Sequence, residues 1–145
     1  MTRRESTQRA ATTAYGQLLE KVRYDGVYPT RRRAEEALRA VVPVLGRQLT
    51  EQGRALLATR LPAEVSELLV AEASAPAVEP LTDRDFVEAV AARTGSPYAV
   101  ACWDTETVLT NLATLTGPAF LPRLLGQLPS SYAPLFGQSS RAQAA

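Results

Sequence analysis

The feature that most constrains this chain is an order that occurs twice: helix, glycine, helix, helix, Leu-Pro, helix. Leu18, Leu19 and Val22 align with Phe86, Val87 and Val90 at an offset of 68 residues, and Gly26 and Gly95 follow each set. At an offset of 67, Val41, Val42 and Leu45 align with Val108, Leu109 and Leu112. At the same offset Leu57 aligns with Leu124, Leu61-Pro62 with Leu128-Pro129, and Leu68-Leu69 with Leu135-Phe136. Leucine-rich helices match one another easily, so the glycines and Leu-Pro junctions carry more weight than the apolar positions. Each unit of 55–60 residues is marginal alone, so the two apolar faces are expected to share one core.

The first helix is expected over 14–23, with Leu18, Leu19 and Val22 on one face. Asp25-Gly26 ends it, with Gly26 free to take positive φ. Thr30 is a candidate N-cap for a second helix over 31–45. There Ala34, Ala37, Leu38, Val41 and Leu45 recur at helical spacing, Pro43 predicts a kink, and Gly46 reads as the stop. Thr50 can cap a third helix carrying Leu56, Leu57 and Leu61. Pro62 pushes Leu61 out of helical geometry and opens a fourth, with Val65, Leu68 and Leu69 inward. Residues 71–81 hold Ala-Ser-Ala-Pro and Glu-Pro with no period and read as a linker. Thr82 then caps a fifth helix, and Cys102-Trp103 lies on a sixth. Gly117-Pro118 starts the next helix, and Pro122 and Pro134 predict short or partly 3₁₀ elements beyond it.

Charge divides along the chain. Residues 1–70 hold 12 basic and 8 acidic side chains, a net of +4, and residues 71–145 a net of −3. The overall +1 gives no global field for steering a nucleic acid or an acidic substrate. One cysteine excludes an intrachain disulfide, and the absence of histidine removes the commonest general base and zinc ligand. No apolar run approaches the roughly 20 residues of a membrane span, and residues 1–13 lack the apolar core of a secretory signal. A cytoplasmic location is the expectation.

The densest charge cluster is Arg31, Arg32 and Arg33 at a helix N-terminus, where cations meet the positive end of the dipole. It could grip phosphate or an acidic partner. The plainer reading pairs Arg31 and Arg32 with Glu35 and Glu36 one turn on. Cys102 has no histidine to activate it and reads as a core or half-buried cysteine beside a packed Trp103. Asp83, Asp85 and Glu88 lack calcium-loop spacing and read as cap and dipole compensation. Asp104 and Glu106, two apart on a helix, do not face each other and make a poor acid–base pair. No phosphate loop, nucleophile elbow or Cys-x-x-Cys is present.

With these residues in place, the pattern resembles a bacterial family designated domain of unknown function 2267. The likeness rests on 18–26, 34–45 and Leu61-Pro62-Ala63-Glu64 in the first unit, and on 86–95, 108–112 and Leu128-Pro129 in the second. The stretch from Tyr24 through Asp25, Gly26, Val27, Tyr28 and Pro29 to Thr30 is similar to actinobacterial members in particular. It spans roughly residues 14–137 and implies a tandem helical fold, with no catalytic residue to carry over. Pro43, Pro122 and Pro134 depart from the pattern.

The expected fold is all-α: a compact bundle of about eight short helices formed by two pseudo-symmetric four-helix repeats around one core. The expected layout is a flexible tail at 1–13, a first repeat at 14–70, a linker at 71–81, a second repeat at 82–137 and a flexible tail at 138–145. The expected function is a non-enzymatic interaction or regulatory module that binds a protein partner or itself, with no cofactor and no metal. The alternatives are polyanion or nucleic-acid binding through Arg31, Arg32 and Arg33 with Arg39 and Arg47, or a small-ligand pocket between the repeats.

Overall fold

A computed structural model describes residues 3–73, 81–126, 128 and 130–136. Among these residues seven α-helices follow one another: α1 (Arg3–Gly26), α2 (Arg31–Gln48), α3 (Glu51–Ala58), α4 (Ala63–Val70), α5 (Asp83–Thr94), α6 (Tyr98–Thr116) and α7 (Leu121–Leu125). A 3₁₀ helix, Ser130–Phe136, comes last. Among the described residues there is no strand.

Helix α2 is the axis of the bundle. It touches α1, α4, α5 and α6, and every residue from Ala40 through Gly46 is buried. A helix buried on all sides needs an apolar run rather than a stripe, which Ala-Val-Val-Pro-Val-Leu-Gly supplies. The helix continues through Pro43 to Gln48, so Gly46 is not the expected stop. Its role is spatial. A Cβ at Gly46 would overlap the Leu69 carbonyl, so only glycine lets α2 and α4 approach this closely. Leu61, expected on α3, lies beyond its end, and of the two leucines the helix carries Leu56 is half exposed while Leu57 is buried.

The cap signals hold where a hydroxyl was expected to accept. Thr30, Thr50 and Thr82 accept from the backbone N–H groups of Arg33, Gly53 and Asp85. Gly95 closes α5 in the left-handed region at φ 68°. Helix α1 differs on two counts. It starts at Arg3, earlier than the expected residue 14, and its positive φ falls on Val27 rather than Gly26. Gly26 instead makes room for the Tyr28 ring, which a Cβ there would strike. Pro122 and Pro134 sit in the five-residue α7 and the 3₁₀ helix, the short elements their rings predict. Residues 74–80 of the expected linker and all of the expected tail at 138–145 lie outside the described residues.

One core joins all seven α-helices. Leu18, Leu19, Leu38, Leu57 and Leu69 share it with Phe86, Leu109, Leu112, Leu124 and Tyr132. Leu61 and Leu128, the residues before the two prolines, are both buried. Phe86 meets Tyr132 edge to face at 5.6 Å, and the Tyr132 hydroxyl donates to the Leu81 carbonyl at 2.6 Å.

Two outcomes follow. Leu57→Ala and Leu124→Ala, both in the fully buried set, should each lower stability by about 2–5 kcal/mol in chemical denaturation. Burial, and then Asp83 and Asp85, push the Tyr132 pKa from 10.0 up to about 12. A raised folded pKa means that stability is fully present below pH 10 and is lost as pH climbs toward about 12. Melting temperatures measured from pH 9 to 12 should fall across that window, less steeply in Tyr132→Phe.

Candidate functional site

The geometry of the site starts with a carboxylate in the core. Asp104 sits on the inward face of α6, in helical register with Ala101 and Val108, and is fully buried. A buried carboxylate needs both charge and hydrogen bonds returned to it. The Tyr28 hydroxyl donates to Oδ1 at 2.6 Å, and Arg33 Nη2 donates to Oδ1 and Oδ2 at 3.2 and 2.9 Å. The Arg33 guanidinium lies 5.0 Å from the centre of the Tyr28 ring. Burial pulls the Arg33 pKa down, but the bond to Asp104 together with the charges of Asp104, Tyr28 and Glu36 leaves it raised. Burial, followed by the bond to Asp104, holds the Tyr28 hydroxyl protonated far above the usual tyrosine range. These three side chains fasten α6 to α2 and to the α1–α2 turn.

With Asp104 inward, its neighbour Trp103 must face out. Trp103 is 50% exposed, and its indole N–H donates to the Gly26 carbonyl at 2.8 Å. Gly26 ends α1, and on either side of it Tyr24 and Val27 are 78% and 80% exposed. Val27 holds φ at 55°, the one non-glycine positive φ among the described residues. A β-branched side chain in that region carries strain of about 1–3 kcal/mol, and such strain concentrates at functional sites.

Two hollows follow the seam between α1 and α6. One, of about 380 Å³, lies between Ala14, Leu18 and Lys21 on α1 and Asn111, Thr114 and Leu115 on α6, with Pro62 at its edge. The other, also about 380 Å³, is lined by Asp25, Trp103, Glu106, Thr107, Thr110 and Asn111. Asn111 borders both. Its Nδ2 donates to Asp25 Oδ2 at 3.1 Å and to the Thr107 carbonyl at 2.9 Å, while its Oδ1 is buried with no hydrogen-bond partner.

A profile of the family described as an uncharacterized conserved protein, DUF2267, matches residues 15–135. The chain belongs to the DUF2267 family. Comparison with curated proteins finds no match. Within this DUF2267 chain the matched region contains the α1–α2 turn, the Asp104 cluster and the whole of α6.

The arginines singled out from the sequence do not converge. Arg31 pairs with Glu20 at 3.6 Å rather than with Glu35, Arg32 with Glu36 at 3.9 Å, and Arg33 turns inward to Asp104. Glu35 answers instead to the Tyr15 hydroxyl at 2.7 Å and to Arg39 at 3.9 Å. Arg47 lies 3.9 Å from Glu72, which also holds Arg93 at 2.7 Å. A third hollow, about 490 Å³ between Arg33, Glu36, Arg39, Arg93 and Ser96, is therefore lined by arginines that already have acidic partners. Cys102 is half-buried, and burial, then Glu106 and Asp83, push its thiol pKa up, away from a nucleophilic thiolate. The tryptophan beside it is not the packed core residue expected. Among the described residues, no three acidic or sulfur side chains gather to hold a metal ion, and no helix is long and apolar enough to cross a membrane.

Sequence reasoning passed over Asn111, named Tyr24, Val27 and Tyr28 only for the family likeness, and read Trp103 as packed and Asp104 as half of a poor acid–base pair. A signal for one was present: Asp104 occupies a core-facing position between Ala101 and Val108, where a carboxylate demands a cation. Asp104→Ala, which strands the Arg33 charge and the Tyr28 hydroxyl, should cost about 3–5 kcal/mol in denaturant titration. Arg32→Ala, an exposed neighbour of Arg33 outside that cluster, should cost less than about 0.5 kcal/mol.

Proposed function

We propose that this protein is a non-enzymatic cytoplasmic interaction module, which docks a protein partner on the corner formed by Tyr24, Val27 and Trp103. The observation that carries the reading is the half-exposed Trp103, anchored by its own N–H on the Gly26 carbonyl beside a strained and exposed Val27. Tryptophan and tyrosine dominate binding energy at protein interfaces, and a pre-anchored ring loses little freedom when a partner covers it. The buried Asp104 cluster supports the reading, because it fixes the rotation of α6 and so the direction of Trp103. On this reading the surface falls between the two sequence units, with α1 from the first and α6 from the second. The polyanion alternative has less support, since Arg31, Arg32, Arg33, Arg39 and Arg47 each have an acidic neighbour.

The test is capture from native lysate combined with light scattering. The wild-type chain should retain a partner or self-associate. Trp103→Ala and Val27→Gly should lose that association while keeping the fold, since glycine relieves the positive φ. Leu56→Ala, which truncates an exposed leucine on α3, should behave as wild type. A strict monomer that retains nothing, or retention indifferent to Trp103, would overturn the reading.

A further inference from the structure

We propose that the exposed face of α6 is the contact surface of a twofold dimer, in which a second copy of this chain lies antiparallel and each Trp103 enters the other's hollow beside Leu115. The proposal rests on the interaction reading above and names the partner.

The outer face of α6 carries Trp103, Glu106, Thr110 and Thr114, all exposed, with Thr107 half-buried beside them. At helical spacing these residues form one stripe. Glu106 is its one charge, and threonines are short enough for a second helix to approach to an axis separation of about 8–10 Å. Helix α1 runs antiparallel alongside. Trp103 bonds to Gly26 and Asn111 to Asp25, while Ala14 and Leu18 lie across from Thr114 and Leu115.

The two ends of the stripe are unlike. At one end the Trp103 indole projects, 50% exposed. At the other a hollow of about 380 Å³ opens between the apolar Ala14, Leu18, Pro62 and Leu115, and Lys21 and Asn111 also line it. It has room for an indole. A projection and a hollow on one face, displaced from its middle in opposite directions, are what an isologous contact requires.

The register can be read from the helix. With the twofold axis midway between Thr107 and Thr110, Thr107 meets the other copy's Thr110, Trp103 meets its Thr114, and Glu106 meets its Asn111. Thr114 and Asn111 both line the hollow, together with Lys21. The register that centres the threonines therefore brings the indole to the apolar hollow and Glu106 to Lys21 at the same time. Charge agrees with shape. Glu106 makes no ion pair among the described residues. Lys21 is half exposed and bonds only Asp25 there, at 3.1 Å, which leaves ammonium hydrogens for an incoming carboxylate.

Trp103 and Thr114 stand about 16 Å apart along the helix axis. A second copy supplies that spacing in reverse without further design. The Asp104 cluster fixes the rotation of α6, so the free chain already presents both ends in this arrangement and loses little freedom on pairing.

The experiment is sedimentation equilibrium of the full chain over a wide range of concentration. The fluorescence of Trp103, the single tryptophan, is read in parallel. The chain should pass from monomer to dimer and no further, and its emission should move to the blue as the indole leaves water. Trp103→Ala, and Leu115→Arg at the exposed rim of the hollow, should each weaken the dimer about thirtyfold or more while circular dichroism shows unchanged helix content. Glu106→Lys and Lys21→Glu should each weaken it about three- to tenfold. An equimolar mixture of those two variants should regain wild-type affinity as a heterodimer, because each acid then faces a base. Leu56→Ala, at an exposed leucine on α3, should dimerise as wild type. A monomer at every concentration, a dimer indifferent to Leu115→Arg, or a mixture no tighter than its two components would overturn the proposal. If it is overturned while capture from lysate still depends on Trp103, the interaction reading stands with a different protein as partner.

Discussion

Asp104 is a charge in a place that tolerates one only if its surroundings are built for it. It is buried completely, and a guanidinium from α2 and a phenol from the α1–α2 turn meet it together. Apolar packing between helices allows small slides and rotations at little cost. An ion pair in which one guanidinium nitrogen meets both carboxylate oxygens, reinforced by a short hydrogen bond, does not. The cluster therefore converts an adaptable contact between α1, α2 and α6 into one defined arrangement. Everything proposed for the surface inherits that definition, because Trp103 is the next residue along the same helix.

The outer surface shows the complementary economy. Most exposed charges in the first half are matched locally: Arg31 by Glu20, Arg32 by Glu36, Arg39 by Glu35. These pairs are solvated and contribute little to stability. They also leave few cations free to attract phosphate, so the basic character of that half remains a property of composition more than of potential. The matching is incomplete elsewhere among the described residues: Glu51, Glu67 and Glu106 have no ion pair, and Arg33 Nη1, Glu64 Oε1 and Asn111 Oδ1 are buried without a hydrogen-bond partner.

Helix content and most element boundaries were readable because they depend on local signals. Threonine caps at Thr30, Thr50 and Thr82 and the left-handed Gly95 act over a few residues, and the structure uses each one. Pro122 and Pro134 foretold short elements for the same reason. Contacts over long sequence distances were not readable. Gly46 looked like a terminator because the proximity of Leu69 is invisible along the chain. Gly26 looked like the left-handed residue because nothing local shows that the Tyr28 ring needs its space. The pairing of Arg33 with Asp104 spans 71 residues, and the Asn111 bond to Asp25 spans 86. The arginine cluster attracted notice for its density, yet its most consequential member is the one that turns inward.

The Tyr132 hydroxyl closes on the Leu81 carbonyl, and its ring on Phe86, across about fifty residues of intervening chain. Asp104 likewise answers residues that precede it by more than seventy. During synthesis on a ribosome these debts run in one direction. Arg33 and Tyr28 emerge long before the carboxylate that receives them, and the start of α5 emerges before the ring that covers it. The nascent chain can form helices as it appears, but it cannot reach its final arrangement in stages. Assembly waits for residues near 132, so a ribosome that stalls earlier leaves an apolar, half-paired intermediate for chaperones and proteases to meet.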